Sequence, residues 1–374
     1  MNPSHDPVPF VDLGWQHAEI AAEVEEGFGR VLDATAFIDG PDVAAFEDEF
    51  AAFSGRGHCI GVANGTDAIE LALRAHGIGR GDEVILPANT FIATAEAVDR
   101  AGATPVLVDC DERHLLIDPD LVAERLTAHT RAVIGVHLYG QIAPMERLVE
   151  VVRAAGDDRV VVLEDAAQAQ GATRHGEGIG SWGTAATSFY PGKNLGAYGD
   201  GGAVLTDDDE VDRRVRAIRN HGSSRRYYHD VKGVNSRLDT LQAVVLRAKL
   251  ARLEKWNTLR REAAERYEGL LHDVEGVELP GTMEHNLHVW HLYVVRVDRR
   301  EAVMESLRDA GVGVAIHYPV PVHRHPAFAD LGLAEGTFPV AESTAPRIMS
   351  LPMFPGITAT QQERVATELR RALG

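Results

Sequence analysis

From residue 59 onward, short apolar runs alternate with longer stretches in which apolar residues recur every three or four positions. The runs at 59–62, 83–86, 105–108, 132–136 and 160–163 are too short for helices and read as buried strands. Between them, 67–75, 93–101, 119–126 and 145–154 carry the helical period. Strands alternating with helices of that length predict crossover units: an α/β fold with a mainly parallel sheet covered by helices on both faces. Sites in such sheets lie beyond the carboxyl ends of the strands. Upstream, Val43, Phe46, Phe50 and Phe53 recur at helical spacing after Pro41, a residue suited to a first helical turn. Downstream, one long helical pattern spans 240–271, followed by a strand at 291–297, a helix at 301–310 and a terminal helix at 361–373. This organisation predicts a large domain over 1–250 and a smaller α+β domain over 251–374, with no internal repeat or flexible linker.

The chain has 374 residues, enough for two cores. Its formal net charge of -19 argues against a nucleic-acid partner, since phosphate binding draws on clustered Lys and Arg. No apolar run reaches membrane-spanning length, and residues 1–13 lack the basic and apolar regions of a signal peptide. Two cysteines, Cys59 and Cys110, cannot build a disulfide framework and suit a reducing cytoplasm as buried, inert thiols.

Candidate chemistry gathers near the middle. Asp165, in Glu164-Asp165-Ala166-Ala167-Gln168, ends the apolar run at 160–163, and Lys193 follows 28 positions later after another strand-like stretch. A pyridoxal phosphate site needs this pair. The lysine carries the cofactor covalently, and the buried carboxylate keeps the pyridine nitrogen protonated, so that the ring takes up electrons. At Val62-Ala63-Asn64-Gly65-Thr66-Asp67 a strand passes into a helix, where the N–H groups of Gly65 and Thr66 and the Thr66 hydroxyl suit a phosphate; a turn with an N-cap is the plainer reading of that segment alone. Phe91 follows the strand at 83–86 and either stacks on a ring or belongs to the core, the commoner place for a lone phenylalanine after a strand. Gln168 is placed to bond a ring hydroxyl and Ser188 to reach the phosphate; each alone reads equally as a polar residue satisfying backbone groups at a strand end.

Other signals have plainer explanations. Gly176-Glu177-Gly178-Ile179-Gly180 lacks the strand and helix of a dinucleotide loop and reads as a turn. His285, His288 and His291 have no supporting carboxylate or cysteine pattern, so they read as surface and packing residues and no metal is expected. The acidic run 207–210 reads as a helix cap. His317-Tyr318-Pro319-Val320-Pro321-Val322-His323 is an extended segment whose rings either line a polar substrate pocket or serve structure alone.

Taken together, the EDAAQA segment at 164–169, Ser188-Phe189 with Lys193-Asn194-Leu195-Gly196-Ala197-Tyr198-Gly199-Asp200-Gly201-Gly202-Ala203, and Leu351-Pro352-Met353-Phe354 make the chain resemble the DegT/DnrJ/EryC1/StrS nucleotide-sugar aminotransferases. These are fold-type I pyridoxal 5'-phosphate enzymes with a mostly parallel seven-stranded sheet and a smaller C-terminal domain. The likeness covers nearly the whole chain. It implies that Lys193 carries the cofactor and shuttles the proton, Asp165 pairs with the ring nitrogen, Gln168 bonds the ring hydroxyl and Phe91 stacks. It also implies that Gly65, Thr66 and Ser188 hold the phosphate, with Asn235 reaching the phosphate of a neighbouring subunit in a homodimer. Tyr190, His317, Tyr318 and His323 are the expected substrate residues. Gly192, where relatives often carry threonine, is a departure expected to alter loop packing.

The resemblance implies transfer of the amino group of L-glutamate to a keto-sugar, because relatives that dehydrate their sugars carry histidine at the lysine position. Tyr228-His229-Asp230-Val231-Lys232-Gly233-Val234-Asn235-Ser236-Arg237-Leu238-Asp239 is similar to the segment of members acting at the third carbon, while those acting at the fourth more often have an aromatic at Ser236. A dTDP-3-keto-6-deoxyhexose is therefore the expected substrate. Alternatives are the fourth carbon, a cyclitol or aminoshikimate-type ketone, and a non-catalytic regulator, which would usually bring a DNA-binding module that this sequence does not offer.

Overall fold

The computed structural model describes residues 6–225 and 227–374. The expectation that no leader precedes the fold falls partly on residues 1–5, outside the described ones. Three helices open the chain, α1 (Leu13–Ala18), α2 (Ala21–Ala34) and α3 (Pro41–Ser54). The alternating region follows as β1 (His58–Val62), α4 (Gly65–Ala75), β2 (Glu83–Pro87), α5 (Ile92–Ala101), β3 (Thr104–Val108), α6 (Pro119–Arg125), β4 (Thr130–Val136), α7 (Met145–Ala154) and β5 (Val161–Asp165). A hairpin of β6 (Thr173–Arg174) and β7 (Glu177–Gly178) takes up the glycine-rich segment. Then come β8 (Thr184–Ser188), β9 (Gly202–Thr206) and α8 (Asp209–Arg219), with Asp208 capping α8 by accepting from Glu210 and Val211 N–H.

Seven strands form one sheet in the order β1-β9-β8-β5-β4-β2-β3. Only β9 runs against its neighbours; the pairs β8–β5, β5–β4, β4–β2 and β2–β3 are parallel. Alternation along each strand divides the core. Ile60, Val62, Val84, Leu86 and Ile134 point to the face covered by α4, α5 and α8. Cys59, Ile85, Val133 and Val162 point to the other, covered by α3, α6, α7 and the later helix α9 (Thr240–Leu250). Burial on both faces is why the strands read as unbroken apolar runs.

A short hairpin, β10 (Ser223–Arg225) with β11 (Tyr228–His229), precedes α9. The pattern at 240–271 is not one helix. α9 ends at Leu250, and α10 (Leu253–Leu271) starts after a turn at Ala251 and Arg252. No glycine or proline marks the break; packing makes it, because Leu250 and Leu253 both enter the sheet's second core while Ala263, Ala264, Tyr267 and Leu271 enter another. That third core is completed by β12 (Val277–Glu278), β14 (Tyr293–Val297), α11 (Arg300–Asp309), β15 (Ile348–Leu351) and α13 (Ala359–Leu373), with β13 (Asn286–Leu287) pairing back to β6 and α12 (Pro339–Thr344) lying before β15. β12, β14 and β15 form an antiparallel sheet. Val8 joins the third core, so the N-terminal segment is tied to the C-terminal half. Among the described residues no helix is long and apolar enough to cross a membrane.

Candidate active site

The carboxyl ends of β1, β2, β5 and β8 bring the predicted residues together. Asp165 is the last residue of β5 and only 7% exposed. Its Oδ2 accepts from Thr94 Oγ1 at 2.7 Å, and its Oδ1 accepts from the N–H of Ala167 at 3.2 Å. Because the Thr94 proton goes to Asp165, the contact at 2.8 Å between the Thr90 and Thr94 hydroxyls has Thr90 as donor. A buried carboxylate held by a hydroxyl and a backbone N–H, beside a cleft, can serve a cationic ring nitrogen.

Lys193 sits in the turn after β8, where its N–H donates to Tyr190 O at 2.8 Å. Burial lowers its ammonium pKa to about 8, and the negative charge of Asp165 works in the opposite direction. The amine therefore becomes largely neutral only above about pH 8, the form a nucleophile must take. His317 and His291 share this environment. Burial and then the Lys193 charge bring His317 down to about 4 and push His291 well below its ordinary value, so both rings are neutral.

Gly65 and Thr66 open α4, with Asn64 capping it by accepting from Asp67 N–H at 2.8 Å. A Cβ on Gly65 would lie 2.5 Å from Ser188 Cβ, and one on Gly202 would lie 2.4 Å from Asn64 O. These two glycines let the helix start, the end of β8 and the start of β9 approach closely, bringing the first N–H groups of α4 beside the Ser188 hydroxyl, the kind of donor set a phosphate takes. With Asp165 and Lys193, this donor set fits pyridoxal phosphate.

Gln168 follows Asp165 in the turn. Its Oε1 accepts from Tyr139 N–H at 2.6 Å, and its Nε2 donates to Tyr318 Oη at 2.9 Å, leaving one amide proton for a ring hydroxyl. Phe91, 50% exposed, meets the Tyr318 ring at 5.0 Å. The His317 ring stacks on Phe10 at 5.7 Å, its Nδ1 contacts Ser350 Oγ at 2.8 Å, and its carbonyl accepts from Tyr139 Oη at 2.5 Å. The extended segment thus places Tyr318 against Gln168 and Phe91, and His317 near Lys193. His323 does not follow them. Its ring is buried against Phe338 and its Nε2 contacts Glu342 at 3.0 Å, because the chain turns inward where Val322 N–H donates to Ala88 O. Tyr190 is exposed, and Asn235 is exposed on a strand bridge to Asn220. Gly192 has room for a side chain: its Cβ would meet nothing closer than the Tyr190 ring at 3.6 Å.

Several residues at the site escaped the sequence reading. Thr94 and Thr90 stand four apart across the start of α5, a spacing that could have flagged them. His291, read as packing, has its Nδ1 3.2 Å from Asn194 Oδ1, beside Lys193, whereas His288 stacks on Trp290 at 3.9 Å and His285 on His175 at 4.3 Å. Glu164, next to Asp165, faces the other side of β5. It accepts from the N–H groups of Gly180 and Trp182 and from His137 Nε2 at 2.9 Å, the tautomer being set by Ala143 N–H donating to His137 Nδ1. Ser236 is fully buried; its hydroxyl donates to Asp67 Oδ2 at 2.7 Å and accepts from Ala63 N–H at 3.1 Å, bracing the start of α4.

The sequence of residues 18–370 matches the model of the DegT/DnrJ/EryC1/StrS aminotransferase family. Similar relatives include the erythromycin biosynthesis sensory transduction protein EryC1 of Saccharopolyspora erythraea, 46% identical over 97% of this chain and 99% of its own length. The dTDP-3-amino-3,4,6-trideoxy-alpha-D-glucose transaminase of Streptomyces venezuelae is 46% identical over 97% of this chain and 95% of its own, and the UDP-N-acetyl-3-dehydro-alpha-D-glucosamine 3-aminotransferase of Acidithiobacillus ferrooxidans is 46% identical over 98% of both. Among solved structures, S. venezuelae DesV in complex with a ketimine intermediate superposes with a TM-score of 0.95 at 46% identity, over 98% of both chains. The chain belongs to the DegT/DnrJ/EryC1/StrS aminotransferase family and is a pyridoxal phosphate-dependent transaminase.

Proposed function

We propose that the chain moves the amino group of L-glutamate to the third carbon of a nucleotide-linked keto-sugar, releasing 2-oxoglutarate. One observation carries the third carbon: the relatives from S. venezuelae and A. ferrooxidans, each 46% identical, are both named for amination there although one name specifies dTDP and the other UDP. We take a dTDP-3-keto-6-deoxyhexose as the substrate, on the 46% identity to the dTDP-sugar transaminase together with the Asn235-Ser236-Arg237 segment.

When bound, the cofactor supplies an aldehyde that receives the amino group and a ring that takes up the electron pair freed at the substrate carbon. The chain does the rest. Lys193, neutral above about pH 8, takes the proton from the donor's carbon and returns it to the acceptor's. Asp165, steadied by Thr94, keeps the proton on the ring nitrogen. Gly65, Thr66 and Ser188 hold the phosphate, Gln168 bonds the ring hydroxyl, and Phe91 with Tyr318 closes one side against water. Tyr190 and His317 face the sugar. Asn235, exposed on this chain, serves a second subunit's phosphate in a homodimer. Two free buried cysteines accord with a cytoplasmic location.

The test is the product formed from purified protein, cofactor, L-glutamate and a mixture of dTDP-3-keto- and dTDP-4-keto-6-deoxyglucose, with its structure read by NMR. An amine on the third carbon is expected. An amine on the fourth would overturn the regiochemistry, and no amine would return the regulator and cyclitol readings.

A further inference from the structure

Beyond Lys193 lies a chain of buried amides that none of the roles above uses. Asn194, 1% exposed, donates through Nδ2 to Asn257 Oδ1 and to Val289 O, both at 2.9 Å. An amide oxygen only accepts, so His291 is the donor through Nδ1, and its neutral ring leaves Nε2 unprotonated. Asn257, 2% exposed on α10, donates in turn to Gln170 O at 2.9 Å. Gln170 Nε2 reaches Thr187 Oγ1 at 2.8 Å and Ser188 O at 2.9 Å. The route therefore runs from α10 to the residue after Lys193, to the histidine beside it, and back to the phosphate-side end of β8. A Cβ on Gly171 would lie 2.6 Å from Asn257 Nδ2, so the backbone is also fitted closely around this amide.

We propose that Asn257 is a positioning residue for Lys193: by holding Asn194 it ties the lysine's turn to α10 and fixes the orientation of the His291 ring. The inference rests on the role given to Lys193 above. Its physical basis is the stake of a buried, satisfied polar network: removing one member strands its partners in a low-dielectric interior, and the turn relaxes to rehydrate them. The groups facing Lys193 are Asp165 from β5, His291 before β14 and His317 from the extended segment; Asp165 and His317 bond to residues outside this network, and His291 meets it through Asn194. A relaxed turn lets water reach the ammonium, which raises its proton affinity.

The experiment reads the pH dependence of cofactor capture. The full chain, freed of cofactor, is mixed with pyridoxal 5'-phosphate across pH, reduced with borohydride, and the extent of labelling at Lys193 is followed by mass. The parent midpoint is expected near 8. Asn194→Ala and Asn257→Ala should each raise it by about half a unit to one unit, the equivalent of one lost buried hydrogen bond. The double variant should move no further than Asn194→Ala, because Asn257 acts through Asn194. An unchanged midpoint in Asn257→Ala, or shifts that simply add, would overturn the proposal. Should that variant not fold, Asn257→Ser carries the same comparison, a raised midpoint supporting the role and an unchanged one sinking it. Absence of label at Lys193 in the parent would defeat the lysine's assigned role itself, whereas label with an immovable midpoint defeats only the positioning role.

Discussion

Thr94 Oγ1 donates to Asp165 Oδ2 across 2.7 Å, with both residues buried and Thr90 donating to Thr94 behind them. The carboxylate proposed to serve the ring nitrogen is thus aimed by α5, an element joined to the sheet three strands away in sequence. Thr94→Val keeps the shape and removes the donor. A hydrogen bond to a charged group contributes about 1.5–3 kcal/mol, so kcat should fall roughly 10- to 100-fold, with Thr94→Ser close to the parent. Steady-state rates at saturating L-glutamate decide it; a valine variant as fast as the parent would remove Thr94 from the site.

Glu164 and Asp165 are adjacent acids on opposite faces of β5, and they should separate cleanly by experiment. Glu164→Gln replaces an oxygen that accepts backbone N–H with a second donor, in a pocket shared with His137, Gly180 and Trp182. It should lower stability by about 2–3 kcal/mol, seen as a shifted denaturation midpoint, while turnover of the folded fraction stays near the parent's. Asp165→Ala should do the reverse, severely slowing turnover with a smaller effect on unfolding. If both substitutions cut turnover alike, the division of labour drawn from their hydrogen bonds is wrong.

That division was not visible in the sequence, which shows two acids side by side. What was visible is what periodicity encodes. Strands buried on both faces announced themselves as apolar runs, and the helix pattern placed α4, α5 and α7 within two residues of their ends. Asp165 and Ser188 end strands, and Gly65 and Lys193 lie in the segments just after β1 and β8, the places to which the apolar runs point for a site. The break between α9 and α10 was not, since Leu250 and Leu253 keep the apolar pattern through it and only packing bends the chain. Nor was Asn257 as a partner of Asn194, 63 positions away. Its one trace was a polar residue on the buried stripe of α10, beside Trp256 and Arg260. His323 misled for the opposite reason: an aromatic-rich extended segment gives no sign of where it turns inward.

Ser236 shows how a family marker can act without touching the sugar. Its hydroxyl joins Asp67 and the N–H of Ala63, so it braces the turn that carries Gly65 and Thr66. Ser236→Ala should weaken retention of pyridoxal phosphate on dialysis by about 5- to 10-fold, the loss expected for one or two buried hydrogen bonds, and leave the aminated carbon unchanged. A change of regiochemistry in that variant would mean that the serine reads the substrate after all.

The pH dependence of Lys193 follows from its surroundings. Only the neutral amine attacks the cofactor's aldehyde, and burial brings the ammonium from 10.5 to about 8. Below that value the protonated form dominates, so the rate of cofactor capture should fall about tenfold for each unit of pH. Above it the rate should level off rather than climb towards 10.5 as an exposed lysine would. His291 and His317, both held neutral by burial and by the lysine's charge, add no step to the profile near neutrality. The sign can be tested further at Asp165, whose negative charge favours the ammonium and so opposes the effect of burial. Asp165→Asn removes that charge, and the midpoint should move below the parent's. A midpoint that rises instead would show that the carboxylate does not face the amine across the cleft.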